Sequence, residues 1–289
     1  MSVNLLTLED GLTRLTLAPH IGGSIASWQV IASDQPLLRA STAQALSSGL
    51  ANQLACYPLV PWSNRIGGGG FDGPDHWFAL EPNNPAVALP IHGSAWQQAW
   101  DVVEHTAQYA CLQLDSRLPF AYHAQLRYTL QGGQLSIELC VTHQDEHAAW
   151  HGLGLHPYLP RTAHTHLQAK TSHVWLCDGL GLPTERVRLP VDWDFNQLIA
   201  LPHRRLDNCF TDWDGRALIS QPDLGYALEC RASNSPYCLV YCPPDEDFFC
   251  FEPVSHPVNA HHLPGHPGLQ LLHKGQSARL GLHMQYRPL

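Results

Sequence analysis

The sequence predicts an all-β protein, a large antiparallel β-sandwich. Short apolar or alternating runs bounded by Gly, Pro, Asn and Asp recur along the whole chain, whereas stretches with a helical repeat are nearly absent. The 23 prolines and 22 glycines are spread through the length rather than gathered into one linker, and no internal repeat or low-complexity tract stands out. A chain of 289 residues is long for one domain but ordinary for a sandwich, so residues 1–289 are read as a single domain.

The elements follow in order. Alanine, leucine and glutamine between Ser41 and Ala51 favour one short helix, with Ser41 or Thr42 as its cap. Gly67-Gly68-Gly69-Gly70 reads as a turn, since no Lys-Ser/Thr follows to make a phosphate-cradling loop. His123 to Leu130 and Gln134 to Thr142 flank Gln131-Gly132-Gly133, where glycines supply the positive φ a tight hairpin needs. Ala217 to Ser220 and Tyr226 to Arg231 form a second pair around Gln221-Pro222-Asp223-Leu224-Gly225, and an alternating strand from Ala278 to Tyr286 closes the chain.

Composition excludes several functions. Apolar residues make up 44% and charged residues 14%, with nine tryptophans, which describes a compact core rather than disorder. A net charge of -9 with no dense Lys/Arg run argues against nucleic acid as a partner, because that binding depends on clustered cations. Neither a leader pattern nor eighteen uninterrupted apolar residues occurs, so the expectation is a cytoplasmic protein without membrane contact.

The nine cysteines include no Cys-x-x-Cys pair and read as buried thiols. Nineteen histidines tempt towards a metal, but neither the His147, His151, His156, His164, His166 group nor the His256, His261, His262, His266 group has zinc-enzyme spacing; no metal and no cofactor are expected. Dinucleotide-binding and serine-hydrolase signatures are absent as well.

Five segments combine a reactive polar residue with stiffening neighbours. They are Pro61-Trp62-Ser63-Asn64-Arg65-Ile66, Ile91-His92-Gly93, Gly154-Leu155-His156-Pro157-Tyr158, Leu206-Asp207-Asn208-Cys209-Phe210 and Phe251-Glu252-Pro253. Glu252 follows Phe248-Phe249-Cys250-Phe251, and a carboxylate in such surroundings has its pKa raised towards the working pH of a base. His156, beside a rigid proline and an aromatic, suits the matching acid.

In this order the segments resemble the aldose 1-epimerase (galactose mutarotase) family, in a shorter, bacterial-type branch. The resemblance runs from Ala18-Pro19-His20-Ile21-Gly22-Gly23 to Phe251-Glu252-Pro253-Val254-Ser255-His256. It implies the galactose mutarotase-like supersandwich, a sugar substrate and an isomerase that works without metal or organic cofactor; a monomer or a homodimer is expected. It also implies His156 as general acid and Glu252 as general base, with Arg65, His92, Asp207 and Asn64 as substrate-binding residues. Asn64 reads equally as a backbone cap, and Asp212 or Asp214 could take the place of Asp207.

Opening a cyclic hemiacetal requires a proton removed from O1 and another delivered to O5, which calls for two groups expected on opposite sides of the sugar. This assignment implies a bell-shaped pH profile, with an acid limb as Glu252 gains a proton and an alkaline limb as His156 loses one. Trp62, Trp96, Tyr158 and Tyr241 are candidate platforms for the sugar's apolar face. Leu159-Pro160-Arg161 replaces the Phe-Asn that usually follows His-Pro-Tyr in galactose mutarotases. That leaves open a neutral aldose, an anionic sugar held by Arg161, Arg204 and Arg205, or a non-catalytic sugar-binding module.

Overall fold

The structure, a computed structural model describing residues 4–289, is built almost wholly from antiparallel strands. The largest sheet has nine strands: Ile199–Ala200, His166–Ala169, Arg216–Gln221, Tyr226–Ser233, Ser277–Pro288, Gln134–His143, Tyr122–Gln131, Tyr109–Ser116 and Asp101–His105. A second sheet of eight strands runs Pro183–Arg188, His173–Cys177, Leu206–Thr211, Tyr237–Cys242, Phe248–Val254, Gly154–Leu155 and Pro58–Leu59, with Tyr158–Pro160 also paired to Phe248–Val254. Leu6–Glu9, Thr13–Ala18, Ser24–Val30 and Pro36–Leu38 form a third sheet of four.

The expected hairpin is present as Tyr122–Gln131 with Gln134–His143. Gln131 faces Gln134, and Gly132 and Gly133 turn the chain at φ 58° and 74°. Alternation then sends Ala124, Leu126, Tyr128 and Leu130 into the core together with Leu135, Ile137, Leu139 and Val141. Each leucine, isoleucine or valine among them contributes roughly 1.5–3 kcal/mol when fully buried. The second pair and the closing strand extend a little beyond their expected ends, to Arg216–Gln221 with Tyr226–Ser233 and to Ser277–Pro288. One α-helix occurs among the described residues, Ala43–Ser48. Thr42 caps it by accepting the Ala45 N–H, and Gly49 ends it at φ 68°.

The strand Phe248–Val254 is buried on both faces. Phe249 and Phe251 join the main core, while Cys250 and Val254 join a second apolar cluster with Tyr57, Trp96 and Tyr158. Glu252 shares the face of Cys250, and the N-terminal sheet, the turn before Ser24 and the helix join that cluster through Ala26, Ile21 and Ala45. No helix among the described residues is long and apolar enough to cross a membrane.

Candidate active site

Strand alternation places Glu252 opposite Leu239 and turns its carboxylate away from the phenylalanine core. His156 lies between the short strands Gly154–Leu155 and Tyr158–Pro160, where its backbone N–H donates to Tyr57 O at 3.0 Å. Its imidazole runs near-parallel to both Tyr57 and Tyr158, with ring centroids 4.7 Å from each and interplanar angles of 18° and 24°, and the two tyrosine rings lie 6.3 Å from one another. The Arg39 guanidinium lies over the Tyr158 ring, 3.8 Å from its centroid, and is itself tied to Leu54 O. These ring contacts and the backbone bond to Tyr57 hold the imidazole in one direction.

That direction is towards Glu252. His156 Nε2 lies 3.3 Å from Glu252 Oε1, and both side chains are almost fully buried. His156 Nδ1 and Glu252 Oε2 have no protein partner, so the pair keeps hydrogen-bonding capacity in hand. Burial drives the His156 pKa down to about 3, helped by Arg39. It drives the Glu252 carboxyl well above its ordinary value, reinforced by Asp207 and opposed by Arg65. Both shifts favour the uncharged forms, a carboxylic acid beside a neutral imidazole. The two groups stand side by side on one wall, correcting the expectation that they act from opposite sides.

The remaining predicted residues surround this pair. Asn64 N–H donates to His92 Nδ1 at 3.0 Å, and His92 N–H donates to Asn64 O at 3.0 Å. An acceptor at Nδ1 makes His92 the Nε2–H tautomer, and burial next to His156 and Arg65 holds its pKa well below 6.5, so it is a neutral donor. Asn64 and His92 sit at φ 60° and 63°, uncommon for non-glycine residues and held here by their mutual bonds. Asn64 Oδ1 accepts from both the backbone N–H and the Nη1 of Arg65, so Asn64 caps and positions while also lining the cavity.

Arg65 Nη2 lies 3.7 Å from Asp207 Oδ2, which also accepts from Arg205 at 3.1 Å. Together with Tyr241 these groups enclose a cavity of about 240 Å³ that has His156 and Glu252 in its wall. Asp212 instead accepts from Ser172 and Thr211, and Asp214 lines a separate cavity with Lys170 and Arg216, so neither replaces Asp207.

Only one member of the expected arginine clamp reaches the cavity. Arg161 is spent on Pro243 O and Pro202 O, and Arg204 pairs with Asp192 in solvent, leaving Arg205 at the mouth. Of the four candidate platforms, Trp62 and Trp96 are buried in the apolar clusters and Tyr158 lies against His156; Tyr241 lines the cavity. His256 serves as a brace: its Nε2 accepts the Ser63 N–H at 3.0 Å and its Nδ1–H donates to Pro257 O.

Tyr57, Arg39 and Cys250 escaped the sequence reading. Cys250 had a signal, since a residue two before Glu252 in a strand shares its face. Its thiol and donor atoms of His156 and Glu252 all lie within 4.8 Å of one another, a set able to grip a soft divalent cation. Burial pushes the Cys250 thiol well above its ordinary value, so such binding would first have to remove a proton.

Residues 4–285 match the aldose 1-epimerase family. The uncharacterized protein YphB of Escherichia coli K12 is 32% identical over 285 residues, covering 95% of this chain and 96% of its own. A crystal structure from Escherichia coli K12, named only provisionally as an aldose 1-epimerase, overlays with a TM-score of 0.93 at 32% identity and 99% coverage of both chains. A Caenorhabditis elegans GalM/aldose epimerase homologue shares the fold alone, with a TM-score of 0.83 at 16% identity over the whole of each chain. A nearly full-length match, carried by relatives at this level of identity, means that the chain belongs to the aldose 1-epimerase family.

Proposed function

We propose that this protein is a mutarotase that interconverts the α and β anomers of an aldose, with Glu252 as base and His156 as acid. The observation that carries the reading is the buried pair, 3.3 Å apart, in the wall of a cavity of about 240 Å³. O1 and O5 of a pyranose are both bonded to C1, so two proton-exchanging atoms this close match two oxygens on one carbon. The pair's single proton crosses to His156, giving imidazolium and carboxylate. Glu252 then takes the O1 proton while His156 protonates O5; the C1–O5 bond breaks and C1=O1 forms. Rotation about C1–C2 presents the other carbonyl face, O5 returns its proton to the imidazole as it attacks C1, and Glu252 restores the proton to O1.

Each positioned group contributes about 10² to 10⁴-fold, enough for a reaction that already proceeds in water. His92 Nε2–H, Arg65 and Asp207 hold the ring hydroxyls, and Tyr241 offers its face to the sugar's apolar side. Two guanidinia at the mouth, Arg65 and Arg205, share the Asp207 carboxylate, and Asp178 adds a second carboxylate nearby; the balance of charge favours a neutral sugar over an anionic one.

The test is anomer-exchange NMR on glucose, galactose, xylose and one anionic hexose, comparing the wild type with Glu252→Gln and His156→Asn at matched folded concentration. Exchange above the spontaneous rate, lost in both variants, is the expected result. A folded protein that binds a sugar and exchanges none would make it a binding module.

A further inference from the structure

The catalytic cavity does not end at its mouth. Arg65, Ala86, Val87, Arg205 and Asp207 form one side of a second, larger cleft of about 720 Å³, continuous with the first. Its other side is the turn Asp178-Gly179-Leu180-Gly181, together with Leu176 and Trp193. The turn is anchored: Asp178 Oδ1 accepts the backbone N–H groups of Leu180 and Leu182. Gly181, at φ 78°, lies so close to Arg65 that a Cβ there would stand 2.9 Å from Nη1.

The inner cavity is scaled to one pyranose, so the outer cleft is space that a monosaccharide leaves empty. Two features specify an occupant. Leu176, Leu180 and Trp193 present apolar surface, with Leu180 left 55% exposed, beside the polar groups of Asp178, Arg205 and Asp207. This mixture suits a sugar ring, which offers C–H faces and equatorial hydroxyls. The charges balance as well: two guanidinia stand against the carboxylates of Asp207 and Asp178, leaving no net cation for a phosphate or sulfonate.

We propose that the outer cleft is a second sugar subsite, and that the substrate is a neutral reducing oligosaccharide whose terminal aldose enters the inner cavity. With C1 at the pair, C4 lies across the ring and faces the mouth, so an O4-linked residue passes over Asp207 into the cleft. This inference rests on the mutarotase reading. Contacts of the second ring are remote from the reacting carbon and raise kcat/KM without touching the proton transfers.

The experiment measures anomer exchange for glucose, galactose and xylose, for maltose, cellobiose, β-1,4-galactobiose and xylobiose, and for glucose 6-phosphate. The expected result is a disaccharide with kcat/KM at least about tenfold above that of its own reducing-end monosaccharide. Leu180→Asp and Trp193→Ala should bring that ratio down to about one; Leu180 is half-exposed, so its variant keeps the test independent of folding. Ratios at or below one in the wild type, a preference for the phosphate, or ratios unchanged in both variants would overturn the subsite and leave the mutarotase standing. Absence of catalysed exchange on every sugar would overturn both.

Discussion

The state of the buried pair can be read from stability. Well above pH 6.5 the unfolded chain carries Glu252 ionised and His156 neutral, so these two residues bind no proton, whereas a folded pair with both members uncharged holds one. A folded state that binds an extra proton is stabilised at low pH and loses that advantage as pH rises, by about 1.4 kcal/mol per unit, until the pair itself titrates. Glu252→Gln keeps the shape and removes the proton site, so its stability lacks this slope.

The difference in unfolding free energy between variant and wild type should therefore move in favour of the variant by about 1.4 kcal/mol from pH 7 to pH 8. For 289 residues the unfolding entropy is about 0.6 kcal/mol/K, which converts this to a relative Tm change of about 2 °C. Calorimetry of both proteins at pH 6.5, 7, 7.5 and 8 measures it, and all other titrating groups cancel in the difference. A difference independent of pH would mean that the folded pair holds no proton, with Glu252 ionised beside a neutral imidazole, and the acid–base scheme would lose its proton donor.

The same proton inventory reshapes the activity profile. With His156 lowered to about 3 and Glu252 raised, the acid limb belongs to His156 gaining a second proton and the alkaline limb to the pair losing its only one, the reverse of the sequence-based assignment. Exchange rates should hold at pH 5, and a fall of tenfold between pH 7 and pH 5 would contradict this. Gly93→Ala should cost well over 1 kcal/mol and abolish exchange, because φ is 66° and the new Cβ would meet Val60 O at 2.0 Å, displacing His92; an unchanged Tm and rate would refute that role. His256→Phe leaves the buried Ser63 N–H unpaired, costing about 1–3 kcal/mol and raising KM through the Asn64–Arg65 loop, as denaturation and exchange kinetics would show. Arg161→Ala, by contrast, should lower stability without changing the relative kcat/KM for neutral and anionic sugars, since its guanidinium is committed to Pro243 O and Pro202 O.

Local pattern was enough for the two strand pairs and the closing strand of the nine-stranded sheet. Alternation on either side of Gly132-Gly133 determined both the hairpin and which residues face the core, because side chains in a strand change face at every residue and glycine alone enters the turn without strain. The helix from Ala43 to Ser48 was equally legible from its composition and the Thr42 cap. The short motifs likewise carried their residue types openly: His156, Glu252, Arg65, His92, Asp207 and Asn64 all line one cavity.

Relations between distant segments were decided by tertiary structure alone. Nothing near Cys56-Tyr57-Pro58 shows that Tyr57 stacks on His156, and nothing in Arg204-Arg205 shows that one guanidinium meets Asp207 while its neighbour points to Asp192. The side-by-side placement of His156 and Glu252 arises where separate strands meet in one sheet, and their shifted protonation follows from burial by the whole molecule. Periodicity and turn chemistry act between near neighbours in the chain, whereas distance and desolvation depend on every element that packs around a group.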